Sequence, residues 1–163
     1  MTIHRKVALL VLLAIGVTVS AQSKPNFSGA WVPQPPKTTA PAANGGAVGL
    51  PPSDLTIQHT AALLSISRTA FDRVNTQTFK LDGSEDTNTS GAVTRLSRSR
   101  WDGPRLVIEG RASQVTSAGY DAWTFKDTYS INRGGRLLVQ AEHTAADGKV
   151  TTRTMEYARK TSK

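Results

Sequence analysis

The sequence contains no cysteine, which excludes disulfides and thiolate metal ligands. Histidine is scarce, with three among 163 residues, so few nitrogen ligands remain for zinc or haem. Phosphate-loop, G-x-S-x-G and H-E-x-x-H motifs are also absent. We therefore expect no metal, no cofactor and no catalytic residues, and predict that the protein is not an enzyme.

Long apolar runs are missing after residue 19, and the one before it is short. Residues 7–19 carry no charge and follow the basic residues His4, Arg5 and Lys6. Small side chains at Val19 and Ala21 then suit a cleavage site. This pattern predicts a secretory signal peptide over residues 1–21, too short to span a bilayer. The mature protein is thus expected to be periplasmic or extracellular, and not membrane-spanning.

Basic residues outnumber acidic ones, which gives the chain a formal net charge of +8. Loss of Arg5 and Lys6 with the signal peptide would lower this to +6. Such a balance favours acidic partners, although the charges are scattered along the chain. Composition divides the mature chain into two segments. Residues 22–53 contain a first strand followed by a Pro/Gly-rich loop or linker, and residues 54–163 form the second segment. We predict one antiparallel β domain over 54–163, completed by the strand at 26–32.

No stretch beyond the signal peptide shows helical periodicity. Short extended runs separated by glycine turns follow one another instead. We predict about eight or nine strands in sequence order, with residues 82–90 as a polar loop. Such a meander must remove its edges, so we predict an all-β, antiparallel, up-and-down barrel, closed or nearly closed. A β-sandwich is the alternative.

The last three predicted strands carry an apolar side chain at nearly every second position, which puts these side chains on one face of each strand. The three faces coincide only if both connecting turns are three-residue loops, ending in Gly135 and Gly148. A type I turn followed by a G1 bulge needs a left-handed residue at that place. We therefore predict left-handed conformations at both glycines.

This register places Asp127, Ala141 and Arg153 in one row across the inner face, with His143 one diagonal step from Asp127. Two interpretations are open. Asp127 and Arg153 form an internal ion pair, or Arg153 and His143 bind the acidic head of an apolar ligand. The candidate ligand-binding residues are Arg153, His143, Asp127, Tyr129 and Tyr157.

Three arginines on one predicted strand, Arg95, Arg98 and Arg100, suggest a basic face as a second candidate site. An anionic glycan or lipid surface would suit it, whereas nucleic acid is not expected outside the cell. We interpret the chain first as an exported, non-catalytic binding module for a small apolar or amphipathic ligand inside the barrel. The alternative is an envelope interaction or structural domain that binds a polyanion with this face. The oligomeric state is not defined by the sequence.

Segments 26–31, 55–57, 81–85 and 101–108 resemble a recurrent group of small exported bacterial β-proteins with no established activity. Gly29 and Trp31 also match the Gly-x-Trp of the first strand in lipocalin-like barrels. In those barrels the tryptophan closes the floor beneath a basic side chain after the last strand, which implies that role for Arg159. The chain lacks the Thr-Asp-Tyr motif, disulfide and C-terminal helix of lipocalins, so the resemblance implies the barrel and not a ligand.

Overall fold

The computed structural model describes residues 23–35, 53–70 and 73–161, which contain ten antiparallel strands and no helix. The predicted signal peptide and most of the Pro/Gly-rich segment lie outside these ranges. Within them, no helix has the length and apolar character needed to cross a bilayer. The strands are β1 (Gly29–Pro33), β2 (Leu55–His59), β3 (Leu63–Ala70), β4 (Arg73–Lys80), β5 (Glu85–Ser90), β6 (Val93–Asp102), β7 (Arg105–Thr116), β8 (Gly119–Ile131), β9 (Leu137–Thr144) and β10 (Val150–Arg159).

All ten strands belong to one sheet, in which nearly every strand pairs with its neighbours in sequence. There are two exceptions. Strands β4 and β5 do not pair with each other, and β1 pairs with β10, which places Trp31 opposite Arg159 and brings the two ends of the sheet-forming chain together. The pairing order begins at β4 and ends at β5. The predicted up-and-down meander is therefore confirmed, and it forms a nearly closed barrel rather than a sandwich.

The seam between β4 and β5 is joined by side chains. The Asn88 amide accepts a hydrogen bond from the Thr78 N–H (2.8 Å) and donates one to the Thr78 carbonyl (2.9 Å). A carboxylate oxygen of Asp86 accepts the N–H of Lys80 at 2.6 Å. Both acceptor side chains are buried, at 8 % exposure. These bonds satisfy β4 backbone groups that a neighbouring strand would otherwise pair.

One element differs from the sequence prediction, because β5 lies inside the segment predicted as a polar loop. Its buried positions are Asp86 and Asn88 rather than apolar residues. The alternation of polar and apolar residues that reveals a half-buried strand is therefore missing. The other nine strands lie where the sequence predicted extended runs, and the count is ten rather than eight or nine.

The predicted register of the last three strands is confirmed. Asp127 lies opposite Ala141, and Ala141 lies opposite Arg153. Both connecting loops contain three residues, and their last residues, Gly135 and Gly148, have φ angles of 72° and 82°. Turn geometry and apolar pattern thus select the same inner face.

The barrel interior has a packed floor and a half-exposed mouth. The floor contains large side chains at 0–2 % exposure, among them Phe27, Trp31, Leu64, Phe79, Leu106, Tyr129 and Leu137. The mouth is the opposite end, where the β3–β4, β5–β6, β7–β8 and β9–β10 hairpins turn. Inward side chains near it are only partly buried, among them Arg68, Gln77, Arg95, Trp123, Asp127, His143 and Arg153.

Candidate ligand-binding site

Asp127 forms its observed ion pair with Arg95 of β6, two strands away in the sheet, rather than with the predicted partner Arg153. Arg95 Nη2 lies 2.8 Å from Asp127 Oδ2, with side-chain exposures of 20 % and 14 %. Arg153 occupies the predicted inner row, two strands away from Asp127 behind the small Ala141. Inward curvature of the sheet brings the Arg95 guanidinium to the carboxylate although β7 lies between their strands.

Placing Arg95 on the basic strand face was wrong. Side chains alternate along a strand, so Arg95 lies on the same side as the buried Ser97 and Ser99, while Arg98 and Arg100 point outward. The Arg95 guanidinium carbon lies 3.7 Å from the centre of the Phe125 ring. Its Nη1 donates to Gln77 Oε1 at 3.4 Å, and its Nε is buried without a hydrogen-bond partner.

Arg68 is a second inward arginine, which the sequence analysis did not single out. It is half-buried at the mouth end of β3, where its guanidinium interacts electrostatically with Tyr157. Burial alone would lower the pKa of Arg68, but the oxygens of Tyr129 and Tyr157 and the Asp127 carboxylate raise it overall. The guanidinium therefore keeps its charge. Leu64, Ile66 and Arg68 lie at every second position of β3. Alternation along the strand therefore indicates from the sequence alone that Arg68 shares the inner face with these two apolar residues.

The predicted tyrosines lie deeper in the same interior. Tyr129 and Tyr157 are 2 % and 0 % exposed. Burial, and after it the charge of Asp127, raises the pKa of Tyr129 to about 12, against the opposing effect of Arg68 and Arg95. The Tyr129 phenol is thus neutral at physiological pH and is able to donate a hydrogen bond.

His143 also faces the interior, opposite Phe125 and in contact with the Trp123 ring at 5.6 Å between centroids. The structure therefore brings Asp127, Tyr129 and Tyr157 together with Arg68 and Arg95. His143 and Arg153 line the mouth side of this group. This arrangement offers fixed positive charge and phenol groups beside aromatic walls, which suits an anionic group attached to an apolar body.

Charges on the outer wall alternate in sign. The row Arg98, Glu109, Lys126 and Glu142 crosses four neighbouring strands. Arg98 Nε lies 3.9 Å from a carboxylate oxygen of Glu85, and Arg100 Nε lies 3.1 Å from one of Glu109. An outer groove of about 180 Å³ is lined by residues of both signs. A carboxylate therefore offsets the charge of each of these two outward arginines, and their role as a basic face stays a prediction.

The barrel floor has the arrangement that the Gly-x-Trp resemblance implied. The Arg159 guanidinium carbon lies 4.5 Å from the centre of the Trp31 ring, and Arg159 Nη1 donates to the Ser28 carbonyl at 2.8 Å. Trp31 is fully buried and donates its indole N–H to the Phe27 carbonyl. A Cβ at Gly29 would lie 2.7 Å from Arg159 Nη1, and the φ of 136° also favours glycine. The predicted role of Arg159 is confirmed.

No known sequence family and no curated protein matches the chain. Among solved structures, the chain is similar to apo lipid binding protein 8 of Caenorhabditis elegans. The two share 12 % identity and a TM-score of 0.57, over 82 % of this chain and 95 % of that protein. At this identity the likeness concerns the fold alone. The chain has the fold of a nearly closed, lipocalin-like β-barrel of ten antiparallel strands.

Proposed function

We propose that the protein is an exported, non-catalytic binding module that takes a small amphipathic ligand with an acidic head into the mouth of its barrel. The convergence of Arg68 and Arg95, from the two sides of the β4–β5 seam, on the Asp127 and tyrosine group carries this proposal. Guanidinium groups at partly desolvated sites bind carboxylates strongly and with defined geometry. Export rests on the N-terminal sequence pattern.

The walls around these arginines supply the apolar contacts. Phe125 lies beneath the Arg95 guanidinium, while Trp123 and Met155 are partly buried and pack against the core. The deeper interior is filled by large buried side chains, so the ligand's acidic head would lie at the arginines and its apolar part along the mouth. The similarity to a lipid-binding protein supports this class of ligand.

Asp127 has a defined part in this proposal. Its carboxylate is the anion on Arg95, at 2.8 Å. An entering acid group binds Arg68 and competes with Asp127 for Arg95. The outer wall gives the polyanion alternative less support, because its arginines are already paired with carboxylates.

The test is a titration of the chain beginning at Gln22 with a fluorescent fatty acid and with its uncharged methyl ester. We expect the acid to bind more tightly than the ester. Arg68→Met and Arg95→Met should each weaken binding of the acid about tenfold or more, since each removes a charge-assisted hydrogen bond. The outward Arg98→Met is the matched control and should bind like wild type.

Thermal unfolding of each variant establishes that it is folded. Equal affinity for acid and ester, unchanged by both inward substitutions, would contradict the proposal. Native mass spectrometry of the protein from its source then identifies any ligand that it carries.

A further inference from the structure

Exposed apolar side chains are concentrated around the mouth. Five large ones are strongly exposed in the described residues, and four of them lie at hairpins of the mouth end: Val74, Val115, Tyr120 and Val150, at 66 %, 70 %, 73 % and 56 %. The fifth, Leu63, lies beside a hairpin at the floor end and is less exposed, at 42 %. Because these four side chains share one end of the barrel, a flat partner placed against that end contacts all of them at once.

The β7–β8 hairpin is the most prominent part of this rim. Val115 and Tyr120 lie directly opposite each other, one residue from the closing pair Thr116 and Gly119. The two residues at the turn, Ser117 and Ala118, are exposed and uncharged. A tyrosine beside an aliphatic residue at an uncharged tip suits the boundary between lipid acyl chains and headgroups.

The charged side chains that face inward near the mouth favour docking on an anionic bilayer. Three inward guanidinium groups, those of Arg68, Arg95 and Arg153, lie near the mouth with two carboxylates on the same face, those of Asp121 and Asp127. A protein surface that combines exposed apolar groups with net positive charge associates with anionic lipid more strongly than with neutral lipid.

We propose that the rim defined by Val74, Val115, Tyr120 and Val150 docks on an anionic lipid bilayer with the mouth facing the membrane. This rests on the proposed function, because it gives the ligand a direct route between bilayer and barrel. It uses a different surface from the outer strand face considered above.

The experiment measures flotation of the chain beginning at Gln22, which contains all ten strands, with phosphatidylglycerol or phosphatidylcholine vesicles. Wild type should bind phosphatidylglycerol vesicles more strongly, and salt should weaken the difference. Val115→Ser with Tyr120→Ser should reduce the partition coefficient about tenfold, since two exposed apolar groups lose their lipid contacts. Leu63→Ser, at the floor end, should leave it unchanged.

The fluorescence of Trp123 reports the orientation of the barrel on the membrane. Trp123 lies near the tip of the β7–β8 hairpin, whereas Trp31 is buried in the floor. Vesicles with brominated acyl chains should quench the fluorescence of wild type but quench that of Trp123→Phe much less. Unfolding curves should be unchanged in the double serine variant, because the side chains of Val115 and Tyr120 are mostly exposed.

The two proposals fail separately. Absence of fatty-acid binding in solution, together with rim-dependent flotation, would refute the ligand proposal and leave the docking surface intact. Equal flotation of wild type and the double serine variant, or an equal loss in Leu63→Ser, would overturn the docking proposal whatever the probe titration gives.

Discussion

The side chain of Asn88 makes with the backbone of Thr78 the two hydrogen bonds that a paired strand would make, at 2.8 and 2.9 Å. Because side chains join the barrel at this seam, its closure depends on a few residues, and each of them can be tested by a single substitution. Asn88→Ala should therefore destabilise the protein by about 1–3 kcal/mol, since it leaves part-buried backbone groups of Thr78 unpaired.

Chemical denaturation measures this loss, and hydrogen exchange at the Thr78 amide should accelerate. Thr87→Ala, at the exposed neighbouring position of β5, is the control and should change stability little. Equal stability of both variants would show that the seam does not depend on Asn88.

A second prediction concerns Asp127 as an internal competitor. Asp127→Asn removes the fixed anion from Arg95 while keeping nearly the same shape. We expect affinity for a fluorescent fatty acid to rise about threefold to tenfold, the effect of about 1 kcal/mol, and affinity for its methyl ester to stay constant. Asp121→Asn, at an exposed site near the mouth, is the control. A fall in fatty-acid affinity would indicate that Asp127 orients Arg95 for the ligand instead.

The floor is predicted to be sensitive to acid through His59. Its Nδ1 accepts the Phe27 N–H at 3.3 Å, and its ring stacks against Phe27 and Trp101, over which Lys24 lies. Burial lowers the pKa of His59 below 6.5. The folded state thus binds this proton less readily than the unfolded state, so stability is full above about pH 6.5 and falls as the pH drops below it.

Urea unfolding at pH 7.5 and pH 5.5 measures the effect. His59→Asn should flatten the difference between the two pH values, because it removes the titrating ring. A wild-type stability that rises on acidification would contradict the predicted sign.

Gly29→Ala tests the packing of the floor independently of the His59 prediction. The left-handed φ and the approach of Arg159 Nη1 to 2.7 Å both disfavour a side chain there. We expect a loss of about 1–3 kcal/mol in the free energy of unfolding. Gly134→Ala is the matched control, because its Cβ would approach only the side chain of Asn132, at 3.3 Å. A loss no larger than that of the control would show that the floor adjusts without strain.

The register of β8, β9 and β10 was predictable because two local signals agree. The alternation of apolar residues fixes which side chains share a face, and the glycines at 135 and 148 fix the loop length. Strand β5 was not predictable, since its buried side chains are Asp86 and Asn88. Their role exists only once β4 lies beside them.

The candidate site was only partly predictable for a similar reason. Alternation places Asp127, Tyr129 and Tyr157 on the inner face correctly, and it would also have placed Arg95 there, beside Ser97. The contact of Arg95 with Asp127 spans two strands that do not pair. It depends on the curvature of the closed sheet, which no local pattern specifies.

Because β1 pairs with β10, the chain could begin at another strand without changing which strands are neighbours in the sheet. A circular permutant that starts at β5, ends at β4 and links residue 161 to residue 23 would keep every paired strand of the described sheet. In that chain the most sequence-distant pairing becomes a local one, while the seam, bridged by Asp86 and Asn88, separates the new ends. The contacts across the seam then become the most sequence-distant ones of the sheet, so closing the seam takes the place in folding that the pairing of β1 with β10 has in the natural order.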